Sequence, residues 1–157
     1  MSIRDKIIIS FISFIVENKW LSNMGKWAIP KDIHVTDDLP TWVGGKFEVI
    51  NFAPTIKVRQ KYKNDTGLIN HEKCHARQFG RLLFIHIVAY KYSKTYRLLS
   101  ELEAYREQVK TYRYSNIDDY AWIPRALHRK YNLGLSRAKI NIYCNLCFKD
   151  LLEENRK

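Results

Sequence analysis

The sequence has little of what builds a disulfide-stapled, membrane-spanning or disordered protein. Its three cysteines are odd in number and too few for a disulfide framework, which favours a reducing compartment. The longest run of apolar or hydroxyl residues, Ile7 to Val16, has ten members, whereas a helix that crosses a bilayer needs about 20. Hydrophobic residues make up 46% of the chain, which excludes a disordered composition.

Acidic residues are also scarce. Asp and Glu number 16 against 27 Lys and Arg, so the net charge is +11. Such a surplus favours acidic partners, among them nucleic acid, anionic lipid or an acidic cell-wall polymer, but it does not choose between them. The length of 157 residues suits one domain, and we expect a single domain over 1–157.

The first residues read as a capped helix. Ser2 and Asp5 have the spacing of a helix start ahead of the apolar run. A secretory signal is the alternative, but Asp5 interrupts its basic part and no small-residue cleavage site follows. We therefore expect a cytoplasmic protein, with secretion or a membrane-surface helix as alternatives. Cys144 and Cys147 lie in a helical pattern without a second pair, and we expect them to pack in the core.

Alternating residues predict strands in the middle of the chain. A turn at Gly44-Gly45 precedes a strand over 46–52. Residues 55–63 alternate strictly, and residues 55–62 are the candidate edge strand, whose apolar face begins with Ile56 and Val58. Its other face carries four cations, which form either a solvated face or a basic substrate groove: Lys57, Arg59, Lys61 and Lys63.

Helical spacing dominates the rest of the chain. It predicts helices over 68–92, with Gly80 a break or a close-packing point, over 94–112, and within 118–136 and 136–154. A helix, then strands, then several helices predict an α+β fold with a small antiparallel sheet against a helical body.

The stretch "NHEKCHARQ", residues 70–78, is the strongest chemical signal. Residues four apart lie on one face of a helix, so His71 and His75 can reach one metal ion. Glu72 lies beside that face, where its carboxylate suits a general base for water activated by the metal.

A catalytic zinc site needs a third protein ligand. The segment "SELEAYREQ" offers Glu103, followed one helical turn later by Glu107, whose carboxylate could accept the free N–H of a ligating imidazole. Glu101 is the rival ligand. Residues 101 and 103 point about 200° apart on a helix, so only one of them can face the metal.

"LINHEKCHARQ" followed by "YRLLSELEAYREQ" resembles the gluzincin metallopeptidases, particularly their small single-domain members, over residues 66–110. The resemblance implies a zincin-like fold with an upright edge strand, an active-site helix and a glutamate-bearing helix. It also implies a zinc-dependent endopeptidase with one Zn²⁺ per chain. His71, His75 and Glu103 would bind the ion, and Glu72 would be the base.

Members of this family usually stabilise the oxyanion with a tyrosine or a histidine. Tyr96, seven residues before Glu103, is the first candidate for this role, and His128 is the second. A peptide substrate would pair with an edge strand, for which residues 55–62 are the candidate.

Two other functions remain open from the sequence. The first is a basic protein that binds nucleic acid or another polyanion nonspecifically, with a structural or inactive zinc site. The second is a peptidase-like fold that acts on an anionic polymer. Glu72 favours the peptidase, because a structural metal site has no need of a base beside its ligands.

Overall fold

The computed structural model describes residues 1–18, 20, 23–114 and 116–156. The chain is α+β and mostly helical. Its helices are α1 (Ile3–Glu17), α2 (Thr66–Leu82), α3 (Phe84–Tyr92), α4 (Lys94–Tyr112), α5 (Trp122–Lys130) and α6 (Arg137–Asn155). Its strands are β1 (Ile33–Val35), β2 (Gly45–Ile50) and β3 (Ala53–Val58), and single 3-10 turns lie at Lys26–Ala28, Gln60–Tyr62 and Asp118–Tyr120.

The three strands form a mixed sheet in the order β1-β3-β2. β2 and β3 pair antiparallel, as expected, but β1 runs parallel to β3, so the sheet is not purely antiparallel. The strand predicted over 46–52 ends at Ile50, because Asn51 and Phe52 form the turn of a hairpin between β2 and β3. The predicted edge strand over 55–62 is a misassignment, because β3 pairs on both sides and ends at Val58 before a 3-10 turn. Within the described part of the chain, β2 is the edge strand next to α2.

The predicted helix start at the N-terminus is confirmed as a capping box. The Ser2 hydroxyl accepts a hydrogen bond from the Asp5 amide, and the Asp5 carboxylate accepts one from the Ser2 amide. Asp5 also accepts hydrogen bonds from the Tyr143 hydroxyl and the Lys139 ammonium, both at 2.7 Å. The cap therefore also ties α1 to α6.

The largest core cluster lies between α1, α4, α5 and α6. Cys144 and Cys147 are fully buried in it with free thiols, which confirms the expectation that they pack as small apolar side chains. A smaller cluster joins Ile56 and Val58 of β3 to Ala76 of α2. This contact fixes the sheet against the helix that carries the two spaced histidines. None of the helices in the described residues is long and apolar enough to cross a membrane.

The predicted helix over 68–92 is interrupted at Leu83, whose φ is +53°. Gly80 is a close-packing point instead of the break. A Cβ atom built on Gly80 would lie 2.4 Å from the carbonyl oxygen of Gly25. The helix therefore needs glycine where the segment around Gly25 crosses it. The change of direction at Leu83, three residues later, turns α3 towards the β2–β3 hairpin.

Candidate metal centre

α2 and α4 bring three ligand-type side chains to one point. Nε2 of His71 lies 3.2 Å from Nε2 of His75. The Glu101 carboxylate lies 3.5 Å from Nε2 of His71 and 3.4 Å from Nε2 of His75. All three residues are buried, and together they form a group that could hold a metal ion. We call these residues the triad.

The spacing and bonding of the triad fit a metal ion. A tetrahedral ion with bonds of about 2.0–2.1 Å separates neighbouring ligand atoms by about 3.3 Å, close to the separations within the triad. Among the described residues, Oε2 of Glu101 and Nδ1 of His71 are buried without a hydrogen-bond partner. A buried carboxylate oxygen without a partner is costly, and an ion at the centre of the triad would satisfy it.

Glu101 is held in the form that a metal requires. Burial alone would raise the pKa of Glu101, but the adjacent His75 and His71 and the hydrogen bond from Tyr90 lower that pKa to about 2. The Tyr90 hydroxyl of α3 donates its hydrogen bond to Oε1 of Glu101. The carboxylate is therefore ionised at neutral pH and oriented from a third helix.

Gln78 sets the orientation of the His75 imidazole. Its amide nitrogen donates to the carbonyl oxygen of Ser100 and to Oε2 of Glu103, both at 2.9 Å, so its oxygen faces the opposite way. That oxygen lies 2.9 Å from Nδ1 of His75 and accepts a hydrogen bond from its N–H. Nε2 of His75 is left with a lone pair directed at the centre of the triad, as a metal ligand requires.

The structure places Glu101, and not Glu103, with the two histidines. The Glu103 carboxylate accepts hydrogen bonds from Gln78 and, at 2.5 Å, from the guanidinium of Arg81. Since positions 101 and 103 face opposite sides of α4, no rotation of one side chain exchanges them. This geometry reverses the preference drawn from the sequence and gives Glu103 a supporting place behind Gln78.

Glu107 also differs from its expected placement. Its carboxylate pairs with Arg77 at 3.1 Å and does not contact either histidine of the triad. The residue that accepts the free imidazole N–H is Gln78. No signal in the sequence indicated this role of Gln78, because a glutamine inside a helix is an ordinary residue.

Glu72 lies between the triad and the edge strand. The Phe47 main-chain amide donates a hydrogen bond to its carboxyl group, and a Cβ atom on Gly45 would lie 3.1 Å from Oε1. Burial raises the pKa of Glu72 to about 7, with the Glu101 charge adding to the increase and His75 opposing it. A carboxyl group that exchanges its proton near neutral pH suits a general base.

A cavity of about 700 Å³ opens over the triad. Its walls come from β2, α3, α4 and the residues that follow α5, and all three residues of the triad and Glu72 line it. A second cavity of about 480 Å³ shares His71, Glu72 and Tyr131 with the first. Glu72 is thus reached from two sides, and the space over the triad is large enough for a small-molecule or peptide group.

The two candidates for stabilising an oxyanion lie elsewhere. The Tyr96 hydroxyl is 2.7 Å from Nδ1 of His86, and His86, rather than Tyr96, lines the cavity. Burial lowers the pKa of His86 to about 4, so its imidazole is neutral and Nδ1 accepts a hydrogen bond from the Tyr96 hydroxyl. His128 is exposed on α5. Nothing in the helical pattern of residues 84–92 distinguishes His86 and Tyr90 from their apolar neighbours.

Most of the cations predicted on one face of a strand are in contact with other groups of the protein. Lys57 pairs with Glu48 of the neighbouring strand, and Arg59 donates to the Leu39 carbonyl oxygen. Lys61 lies over the ring of Tyr62 at 4.6 Å. These contacts favour the solvated outer face over a basic groove.

No protein-family model matches this chain, and neither the curated proteins nor the solved structures contain a match to it.

Proposed function

We propose that this protein is a zinc-dependent peptidase with the triad of His71, His75 and Glu101 as metal ligands and Glu72 as general base. One observation carries the proposal: a buried carboxyl group, with its pKa raised to about 7, lies beside three converging ligands in a cavity bordered by a sheet edge. The zincin-like arrangement of a histidine helix, a glutamate helix and an edge strand belongs to the same proposal.

The donor set supports zinc. Two neutral imidazoles and one carboxylate are a known set for catalytic zinc, and they leave one coordination position for substrate. Bound in this way, Zn²⁺ supplies a Lewis acid with about one net positive charge. The same donor set also suits Fe²⁺, and the carboxyl of Glu72 favours hydrolysis over oxygen chemistry because hydrolysis needs a base.

Glu72 would transfer the protons of the reaction. Its carboxylate accepts a proton from the attacking water and then delivers that proton to the leaving amine, so a single group serves both steps. The Phe47 amide donates a hydrogen bond that holds one side of this carboxyl group in place, and burial raises its pKa.

The substrate would lie along β2. Five residues of this strand, 45 to 49, line the cavity, and its partner β3 lies on the opposite side. An extended peptide can add to such an edge through main-chain hydrogen bonds. The edge strand inferred from the sequence at 55–62 is thus replaced by β2 in this role.

A second function, nonspecific polyanion binding around a structural metal, has the net charge of +11 in its favour. The contacts that Lys57 and Arg59 make within the protein weaken it. The presence of Glu72 in a cavity of about 700 Å³ also weakens it, because structural zinc sites are closed by protein ligands.

The test is peptide-library cleavage by zinc-loaded wild type and Glu72→Gln at equal zinc occupancy. Glutamine keeps the size of the side chain but cannot accept the proton, so activity should fall at least about 10²–10⁴-fold. Glu107→Gln is the matched control, since Glu107 pairs with Arg77 away from the cavity. Equal cleavage by wild type and Glu72→Gln would show that Glu72 is not the base. No cleavage by either protein would move polyanion binding to first place.

A further inference from the structure

The outer face of α3 is apolar. Phe84, Ile85, Val88 and Tyr92 share one side of this helix and are each at least half exposed. His86 and Tyr90 occupy the opposite side and contact the core and the triad. Surface helices normally carry polar residues on their outer face, and a helix that is apolar all round is covered by something.

The apolar surface continues beyond α3. The ring of Phe52, at the tip of the β2–β3 hairpin, lies 5.9 Å from the ring of Phe84 in an edge-to-face arrangement. Trp27 is 67% exposed and donates a hydrogen bond from its indole to the Gly80 carbonyl, close to the α2–α3 junction. We call Trp27, Phe52, Phe84, Ile85, Val88 and Tyr92 the apolar face.

Phe52 is an unusual residue for its position. It has a φ of +66° and follows Asn51, whose φ is +49°, so both central residues of the hairpin turn are left-handed. Glycine or asparagine is the ordinary choice there, because a bulky side chain with positive φ is strained. Phe52 is nevertheless 82% exposed and makes its ring contact with Phe84 on the surface.

The segments that carry the apolar face are free of acidic residues. Residues 73–100 include six Lys or Arg and no Asp or Glu, and two of these cations, Arg77 and Arg81, pair with Glu107 and Glu103 of α4. Residues 18–31 and 49–64 likewise contain no Asp or Glu but have three and four Lys or Arg, respectively. Lys26 and Lys91 are exposed and adjoin Trp27 and Tyr92 in the chain, and Lys94 is exposed at the start of α4.

We propose that the apolar face docks the protein on an anionic lipid surface. Aromatic and aliphatic side chains would enter the boundary between headgroups and acyl chains, while the surrounding lysines contact the headgroup charges. Charge selects this occupant over a second copy of the chain. Two copies would bring acid-free, cationic segments together, whereas an anionic bilayer is complementary to them. Tryptophan and tyrosine at the margin are also typical of membrane interfaces.

The test is cosedimentation of the full chain with phosphatidylcholine vesicles, with and without about 30% phosphatidylserine. Wild type should bind the anionic vesicles and bind much less to neutral ones. The variant Phe52→Ser/Phe84→Ser/Ile85→Ser should bind at least about tenfold more weakly. The matched control, Ile7→Ser/Phe14→Ser/Ile142→Ser, removes three exposed apolar residues from α1 and α6 and should bind as wild type does.

Three results would overturn the proposal. They are equal binding by wild type and the first variant, equal binding to neutral and anionic vesicles, and a vesicle-free dimer that the first variant abolishes. The dimer would assign the apolar face to a second copy.

Because Phe52 is at an exposed turn, Phe52→Gly alone relieves backbone strain and retains the fold. It should weaken vesicle binding by itself, and unchanged binding would count against the proposal. Glu101→Gln should bind vesicles normally, which separates this test from that of the metal site.

Discussion

The amide nitrogen of Gln78 lies 2.9 Å from Oε2 of Glu103, and this hydrogen bond fixes which end of the Gln78 amide faces His75. Arg81 holds the other oxygen of Glu103. A chain of polar contacts thus runs from Arg81 through Glu103 and Gln78 to a residue of the triad. Glu103 acts on the metal site by orienting a ligand, through one intermediate side chain.

Replacing Gln78 should weaken metal binding without removing the site. In Gln78→Leu, Nδ1 of His75 loses its acceptor, so the imidazole loses its fixed tautomer and orientation. We expect about one zinc per chain with an affinity lower by about 10–100-fold, measured by competition with a chromophoric chelator. Asn70→Leu is the control, since the Asn70 amide bonds to Thr111 on the same two helices but not to the triad. Wild-type affinity in Gln78→Leu would show that this contact does not orient the ligand.

The sequence predicted the helices of the site better than it predicted which of their residues face the metal. The helix over 94–112 was predicted with both of its boundaries, and the capping box at Ser2 was predicted from spacing. The choice between Glu101 and Glu103 was not predictable in the same way. Residues 98 to 106 of α4 are all buried, because the other five helices surround this helix. Periodicity therefore could not show which face meets α2.

The division between α2 and α3 was also beyond the sequence. Leu83 adopts φ +53° without being glycine or asparagine, so ordinary turn chemistry gives no signal there. That division turns α3 and brings Tyr90 to Glu101 and His86 to the cavity. Packing between elements decided these positions, and local preferences did not.

The Asp5 carboxylate should make stability depend on pH. Hydrogen bonds from Lys139, Tyr143 and Ser2 hold the pKa of Asp5 well below its ordinary value of 3.8. A lowered native pKa means that the unfolded chain binds more protons, so this stabilisation is complete above pH about 4–5 and is lost progressively as the pH falls.

Asp5→Asn should therefore be less stable than wild type at pH 7, and the difference should shrink below pH about 4. Urea denaturation followed by circular dichroism measures both. Glu17→Gln, at the exposed other end of α1, should remain close to wild type across this range. A stability difference for Asp5→Asn that stays constant down to pH about 2 would show that the carboxylate charge does not contribute.

Gly80→Ala should destabilise the protein. In most helices this change is favourable by up to about 1 kcal/mol. Here the new Cβ would lie 2.4 Å from the Gly25 carbonyl oxygen and 2.9 Å from the Cβ of Ala28, so the crossing segment must shift. We expect the free energy of unfolding in urea to fall by about 1–3 kcal/mol. An unchanged or increased value would contradict the close approach of these two segments.

Metal binding by Glu101→Gln and Glu103→Gln tests the triad most directly. Both variants remove one negative charge from α4, two residues apart, so each is the control for the other. At a zinc concentration that saturates wild type, equilibrium dialysis with metal analysis should find about one zinc per chain in wild type and in Glu103→Gln. It should find far less than one in Glu101→Gln, with a native circular dichroism spectrum in all three. Retention of zinc by Glu101→Gln together with its loss from Glu103→Gln would contradict the triad.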